Sequence, residues 1–335
     1  MGLEVRVVPL KGAPELLDEL LALGVKVDLS LLGKNFFRQL LLTTKKRFRT
    51  DVWHAHLPQA ELLLAFKRQD QVIISRHFGG KFYPSAPNIL STILSRVASS
   101  NASQIVAISD FVATYLRTSQ EVSLQKSISV VRYGFNLPEF NKGIDLTASR
   151  SLESRKFLKF GTLARLSSEK DLETMIRGFG EFNKNISQNS QLEIYGEGGE
   201  KKKLLHLINY LGLDQQVFLR GRTDKVAKTL RGLDCFILSS RFEGFGMVLL
   251  EAMAADLPIV CSRIPAALEV LGEDGAAIYF ASGDPIDLFA ALQNIENLDQ
   301  EFRHTQQQLR LDLFGAKEMA EKMMEIYQKT MQYPN

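Results

Sequence analysis

Short apolar runs of strand character alternate with helical stretches along almost the whole chain, and that alternation leaves few folds open. In the first half, strand-like runs fall at residues 4–9, 25–29, 52–55, 71–75, 104–109 and 128–131. Helical patterns lie between them at 13–23 (closed by Gly24), 36–47, 87–99 and 111–119, the last with Ser109 or Asp110 as its cap. A polar stretch without clear periodicity, 136–155, holds Pro138 and the turn-like Asn141-Lys142-Gly143 and reads as a linker. The alternation then restarts, with strands near 157–162, 192–195, 217–219, 235–239, 259–262 and 277–280. Repetition of this kind predicts parallel sheets with helices on both faces. The expected fold class is α/β, with two Rossmann-like doubly wound domains at 1–150 and 151–312. A final helical segment in 313–335 carries apolar residues at helical spacing.

A chain of 335 residues has room for two domains, and 45% apolar with 24% charged residues describes an ordinary globular protein. No run is long and apolar enough for a membrane span, and the first residues do not read as a signal peptide. Cys235 and Cys261 sit in apolar runs and read as buried free thiols, which fits a cytoplasmic location. Charge is uneven: residues 1–150 hold 19 Lys and Arg against 12 Asp and Glu, net +7, whereas 151–335 hold 22 against 26, net −4. The segment from Phe36 to Arg49 joins an apolar stretch to the basic run Lys45-Lys46-Arg47-Phe48-Arg49. It reads either as peripheral contact with an anionic membrane or as a solvated helix covering a sheet. No G-x-G-x-x-G opens a βαβ unit, against NAD binding, and the modest charge with no known module is against nucleic acid.

Function is most legible at Arg241-Phe242-Glu243-Gly244-Phe245-Gly246-Met247-Val248-Leu249-Leu250-Glu251, directly after the apolar run Cys235-Phe236-Ile237-Leu238. The order is strand, Gly-rich loop, helix, and in open α/β sheets ligands sit at the carboxyl ends of strands. Glycines let backbone N–H groups approach an oxygen-rich ligand. Glu243 and Glu251, eight apart, suit acceptance of hydrogen bonds from hydroxyls of a sugar or ribose. A helix-start carboxylate explains Glu243 but not Glu251, which has apolar neighbours in sequence. His54 and His56 lie on one face of their strand, so spacing alone leaves a metal open, although no third ligand stands near in sequence.

The Glu243–Glu251 segment resembles the E-x7-E signature of retaining glycosyltransferases of family 4, which have the GT-B fold. Gly161-Thr-Leu-Ala-Arg165-Leu-Ser-Ser-Glu-Lys170, Ile194-Tyr-Gly196-Glu-Gly198, Phe218-Leu-Arg-Gly221-Arg222 and Ile105-Val-Ala-Ile-Ser109 resemble further motifs of that family, in its order. The resemblance implies two domains facing across a cleft, with the last helix crossing back to the first. It implies a metal-independent transferase with no cofactor beyond its co-substrate, a nucleotide-diphosphate sugar, UDP-linked first and GDP-mannose next. Arg165 and Lys170 would bind the diphosphate, and Glu251 the ribose. Glu243 with the N–H groups of Gly244, Phe245 and Gly246 would hold the sugar or phosphate. Gly196, Gly198 and Arg222 would lie by the nucleotide. His77, with His54, His56, Ser109 and Gly134, would line the first domain's side of the cleft, and catalytic roles would fall to His77, Glu243, Arg165 and Lys170. The acceptor would be a glycan or a lipid-linked glycan of the cell envelope.

Two departures stand out. Tyr133 precedes Gly134 where many relatives carry Asn. The chain also opens at what reads as the family's second strand, so the first domain is expected to lack its central first strand and the helix after it. That leaves two rival functions: a subunit that binds the nucleotide sugar without transferring it, and a sugar-nucleotide epimerase of the same fold. Phosphorolysis would need a pyridoxal-lysine motif, which is not visible.

Overall fold

The computed structural model describes residues 3–12, 16–43, 48–67, 71–83, 86–144, 158–273 and 275–332, without the side chain of 296. Lys45, Lys46 and Arg47 and most of the expected linker fall outside these residues. The chain divides into two compact units. Unit 1 comprises 1–107, 113–130 and 324–335, and unit 2 comprises 108–112 and 131–323.

Unit 1 begins β1 (Arg6–Val7), α1 (Leu17–Ala22), β2 (Lys26–Val27), α2 (Phe36–Thr43), β3 (Val52–His56) and α3 (Pro58–Leu64). It continues β4 (Gln71–Arg76), α4 (Asn88–Ser100), β5 (Gln104–Ala107), α5 (Asp110–Thr118, whose residues 110–112 cluster with unit 2) and β6 (Ile128–Val130). Ser109 settles the capping of α5, because its Oγ accepts from Val112 N at 3.0 Å. Helix α3 was not expected; its seven residues start at Pro58, which reads as a break but suits a first helical turn. The strands form two separate parallel sheets, β1-β2 and β3-β4-β5-β6. Among the described residues no strand joins β1 to β3, the interruption that the opening of the sequence led us to expect.

The second sheet rests on an apolar core that includes Ile73, Ile74, Ile105 and Leu116. Within it Arg76 is buried between two carboxylates, with Nε 2.7 Å from Glu61 and Nη1 3.2 Å from Glu121. Burial pushes the Glu61 carboxyl up to about 7, against the opposing pull of Arg76.

Unit 2 runs α6 (Leu137–Phe140), β7 (Lys159–Leu163), α7 (Leu172–Asn185), β8 (Gln191–Tyr195), α8 (Lys201–Tyr210), β9 (Val217–Gly221), α9 (Val226–Arg231) and β10 (Cys235–Leu238). It ends α10 (Met247–Ala254), β11 (Ile259–Ser262), α11 (Pro265–Leu271), β12 (Ile278–Phe280), α12 (Pro285–Gln293), α13 (Gln300–Asp312) and α14 (Ala316–Gln332). The end of α14, from Met324, clusters with unit 1. The start of the expected linker is a one-turn helix, α6, because Asn136 accepts from Glu139 N and Pro138 suits its first turn.

The strand order is β12-β11-β10-β7-β8-β9, and every pairing is parallel. Read from β7 this is the 3-2-1-4-5-6 order of a dinucleotide-binding fold, whose order reverses between β7 and β10. The largely aliphatic core has an aromatic cluster, with Phe160 of β7 edge-on to Phe179 and Phe182 of α7 at 5.8 and 5.1 Å. Both thiols are free and buried, as expected.

Candidate functional site

The expected donor residues of unit 2 gather at this reversal. The loop after β7 carries Arg165 and Lys170, and the loop after its neighbour β10 carries Glu243. Lys170 Nζ lies 2.6 Å from Glu243 Oε1, which also accepts from Ser240 Oγ at 2.6 Å. Each loop is fastened in turn. Ser239 Oγ donates to Lys170 O at 2.8 Å, Ser262 Oγ to Ser240 O at 2.6 Å, and Arg241 N to Glu169 O at 2.8 Å. An ammonium with three donors can hold Glu243 and still reach a phosphate oxygen. Arg165 is mostly exposed and meets Glu169 at 3.0 Å, while Ser167 Oγ donates to that same oxygen at 2.7 Å.

The two carboxylates of the motif have opposite surroundings. Glu243 is held by a cation and a hydroxyl. Glu251, on α10, has no hydrogen-bond or ionic partner among the described residues, and burial alone pushes its carboxyl up to about 7. A largely buried carboxylate with empty acceptor positions suits a ligand that brings hydroxyl donors. Gly246 stands before α10 at φ +93°, a conformation open to glycine. The N–H groups of Gly244, Phe245 and Gly246 have no acceptor among the described residues. Gly244 O accepts from Ser109 Oγ at 2.6 Å, so Ser109 holds the glycine loop from behind. The buried Phe245 ring packs edge-on against Tyr133 and Phe314.

Gly196 and Gly198 have a packing role that their motif did not reveal. A Cβ at Gly196 would lie 1.9 Å from Ala164 O, and one at Gly198 2.3 Å from Leu166 O. They let the loop carrying Arg165 lie on the turn after β8, joined by Leu166 N to Glu197 O at 3.0 Å. Gly134 likewise admits a close backbone, since its Cβ would meet Ala316 Cα at 2.5 Å. Arg222 is exposed beyond β9. Glu169, Ser240 and Ser239 were not anticipated. The only signal was for Glu169, four residues after Arg165 and so on the same side of a helical turn.

In unit 1, His56 Nδ1 and His77 Nε2 are 2.8 Å apart. His54 is held between Tyr327 OH at 2.7 Å and Ser75 Oγ at 2.8 Å. Burial, then the neighbouring His56, drives His77 down to about 4, and burial, then its two neighbours, drives His54 down to about 3. Burial therefore favours the neutral form of these imidazoles at pH 7, each with one ring nitrogen as a hydrogen-bond acceptor. Among the described residues no group of three His, Cys, Asp or Glu side chains is placed to hold a metal ion.

Residues 146–312 match the profile of the family described as Glycosyl transferases group 1. Those residues belong to that family. The match covers every residue from Arg165 to Glu251. The chain is similar to the GtfA subunit of the UDP-N-acetylglucosamine–peptide N-acetylglucosaminyltransferase of Streptococcus parasanguinis, 31% identical over 135 residues. That stretch is 39% of this chain and 26% of the relative. It is also similar to the O-antigen biosynthesis glycosyltransferase WclY of Escherichia coli, 30% identical over 138 residues, 40% of this chain and 37% of WclY. The chain thus spans well under half the length of either relative. Among solved structures, Anabaena HepE in complex with UDP and glucose superposes with a TM-score of 0.79 at 17% identity, covering 96% of this chain and 90% of HepE. The sucrose-phosphate synthase of Thermosynechococcus elongatus superposes with a TM-score of 0.71 at 18% identity, covering 90% and 81%. The fold is the GT-B fold of these enzymes.

Proposed function

We propose that this chain is a metal-independent retaining glycosyltransferase that moves a sugar from a UDP-sugar to a glycan or lipid-linked acceptor of the cell envelope. The observation that carries the reading is the pair of unlike carboxylates. Glu251 is largely buried without a partner among the described residues, which suits a ribose diol, and Glu243 is paired with Lys170 at the switch point. In this reading the ribose hydroxyls donate to Glu251, and the diphosphate lies against Lys170, Arg165 and the free amides of the glycine loop. Negative charge grows on the diphosphate as the bond from the anomeric carbon to its leaving oxygen breaks, and the two cations stabilise it. The acceptor oxygen bonds to the anomeric carbon on the same face, and its proton passes to the departing diphosphate. No side chain need be protonated, which agrees with imidazoles held neutral. A role for His77 beside the sugar or acceptor rests on the resemblance alone. UDP is favoured because HepE and the pneumococcal GtfA have been crystallised with it.

A second reading, a subunit that binds the donor and transfers nothing, is favoured by the interrupted sheet of unit 1. Binding and slow hydrolysis of UDP-glucose, UDP-N-acetylglucosamine, UDP-galactose and GDP-mannose separate the two, with and without a metal chelator. The transferase predicts binding of one UDP-sugar, slow UDP release unaffected by chelation, and at least ~10-fold weaker binding in Glu251→Ala, the loss of hydrogen bonds to a charged group. Binding without release, also when candidate glycan acceptors are added, would move the assignment to the binding subunit. Absence of binding by every donor would end both.

A further inference from the structure

Two helices of unit 1 are built inside out. In α4, Ser91, Ser95, Ala98 and Ser99 are buried, while Ile89, at 78% exposure, and Ile93, at 52%, stand outward with Leu90 and Val97. In α2, Gln39 and Thr43 are buried, while Phe37, at 80%, and Leu41, at 69%, stand outward. The inward polar groups are satisfied. Ser95 Oγ donates to Glu121 O at 3.0 Å, Ser91 Oγ accepts from Tyr83 N at 3.1 Å, and Gln39 Nε2 donates to Leu31 O at 3.0 Å and Leu10 O at 3.1 Å. A helix covering a sheet toward water does the reverse, so the outward stripes call for an apolar cover.

Charge indicates which cover. Residues 34–101 contain 11 Lys and Arg against 3 Asp and Glu, net +8, and one of the acids, Glu61, is buried against Arg76. Neither α2 nor α4 contains an acidic residue, and Lys34, Arg38, Lys81 and Arg96 are exposed on or beside them. The connections β3-α3-β4 and β4-α4-β5 run in one direction across the sheet order, and right-handed crossovers place α3 and α4 on one face. Helix α3 contacts both α2 and α4, which makes them one layer.

We propose that the α2–α4 layer is a docking surface for an anionic lipid bilayer. Ile89, Ile93, Phe37 and Leu41 enter the acyl boundary, and the surrounding Lys and Arg meet the headgroups. Apolar insertion and the basic residues supply the two signals that lasting interfacial binding requires. The docking stands on unit 1 alone. Its consequence, that the acceptor is met at the bilayer and is lipid-linked, rests on the transferase reading.

Flotation of the full chain with vesicles tests it, using phosphatidylcholine alone and equal parts phosphatidylcholine and phosphatidylglycerol. The wild type should float with the anionic vesicles and not with the neutral ones, and added salt should weaken the binding. Ile89→Ser with Ile93→Ser should weaken it ~10-fold or more, since each change removes inserted apolar area. Unchanged circular dichroism and UDP binding in that variant would show that the fold and donor site are intact. Three results would overturn the proposal: no flotation, equal flotation of the variant, or a wild-type dimer, dissociated by the variant, that does not float. The last would assign the layer to a second copy of the chain. UDP binding in the same samples keeps a failure of docking distinct from a failure of the transferase reading.

Discussion

Unit 2 gathers its largest apolar cluster around one continuous sheet and leaves only scattered apolar residues such as Ile286 and Leu313 exposed, whereas unit 1 interrupts its sheet and turns the apolar sides of α2 and α4 outward. The difference separates two uses of the same β/α alternation. In unit 2 the order β9-β8-β7-β10 brings two loops together at one reversal, above a buried apolar core. In unit 1 the inward sides of α2 and α4 are stitched by serine and glutamine hydrogen bonds, and the apolar area is left for a partner phase. In the proposed reading one unit holds a small polar ligand and the other presents a surface.

The sharpest way to break the contrast is to shave an apolar side chain in each unit. Phe160 is fully buried against Phe179 and Phe182, so Phe160→Ala should cost about 3–5 kcal/mol of stability, transfer and cavity terms together. Ile93→Ser on α4 should cost within about 0.5 kcal/mol, as an exposed change does. Chemical denaturation of the two variants reads both, and a large loss for Ile93→Ser would show that its stripe already has a cover within the chain.

The next largest effect concerns the loops. If Lys170 meets the leaving diphosphate, Lys170→Ala should lower kcat by about 10²–10³-fold, in line with removing one oriented group that stabilises developing charge. It also leaves Glu243 with Ser240 as its remaining side-chain donor among the described residues. Steady-state kinetics on the donor found in the panel would show it, and a change confined to KM would place Lys170 in ground-state binding instead.

Much of this was legible in the sequence, and the rest was hidden for definite reasons. The strands of unit 2 and the residues at its switch point follow from apolar runs and motif spacing, which depend on local order. Fastenings such as Ser239 to Lys170 O join residues 69 apart, and no local pattern encodes them. The glycines 196 and 198 were read for a nucleotide, and their need to admit the Arg165 loop did not show in the motif. Inversion of α2 and α4 was invisible for another reason. Periodicity shows that a helix has an apolar side but not which way that side points. Only the partners of Ser95 and Gln39 show it.

The smallest effect separates the two carboxylates of the motif. Burial raises Glu251 to about 7 in the folded chain, above its ordinary 4.5. A group raised on folding favours the protonated native state. Its stabilising contribution is therefore complete below about 4.5 and is lost as pH rises through about 7. Glu251→Gln keeps the shape without the titration, so the free variant should match or exceed the wild type in thermal midpoint at neutral pH and lose its advantage in acid. The histidines act in the opposite sense. Lowered to about 3 for His54 and about 4 for His77, they withdraw stability as pH falls below 6.5. They and Glu61 titrate equally in both proteins, so the difference between the two melting curves isolates Glu251. With UDP bound the ranking should reverse, because the ribose hydroxyls then supply the donors that an ionised Glu251 lacks and an amide accepts less strongly. A pH-independent difference between the variants would mean that Glu251 is already partnered in the free protein, and the ribose assignment would fall with it.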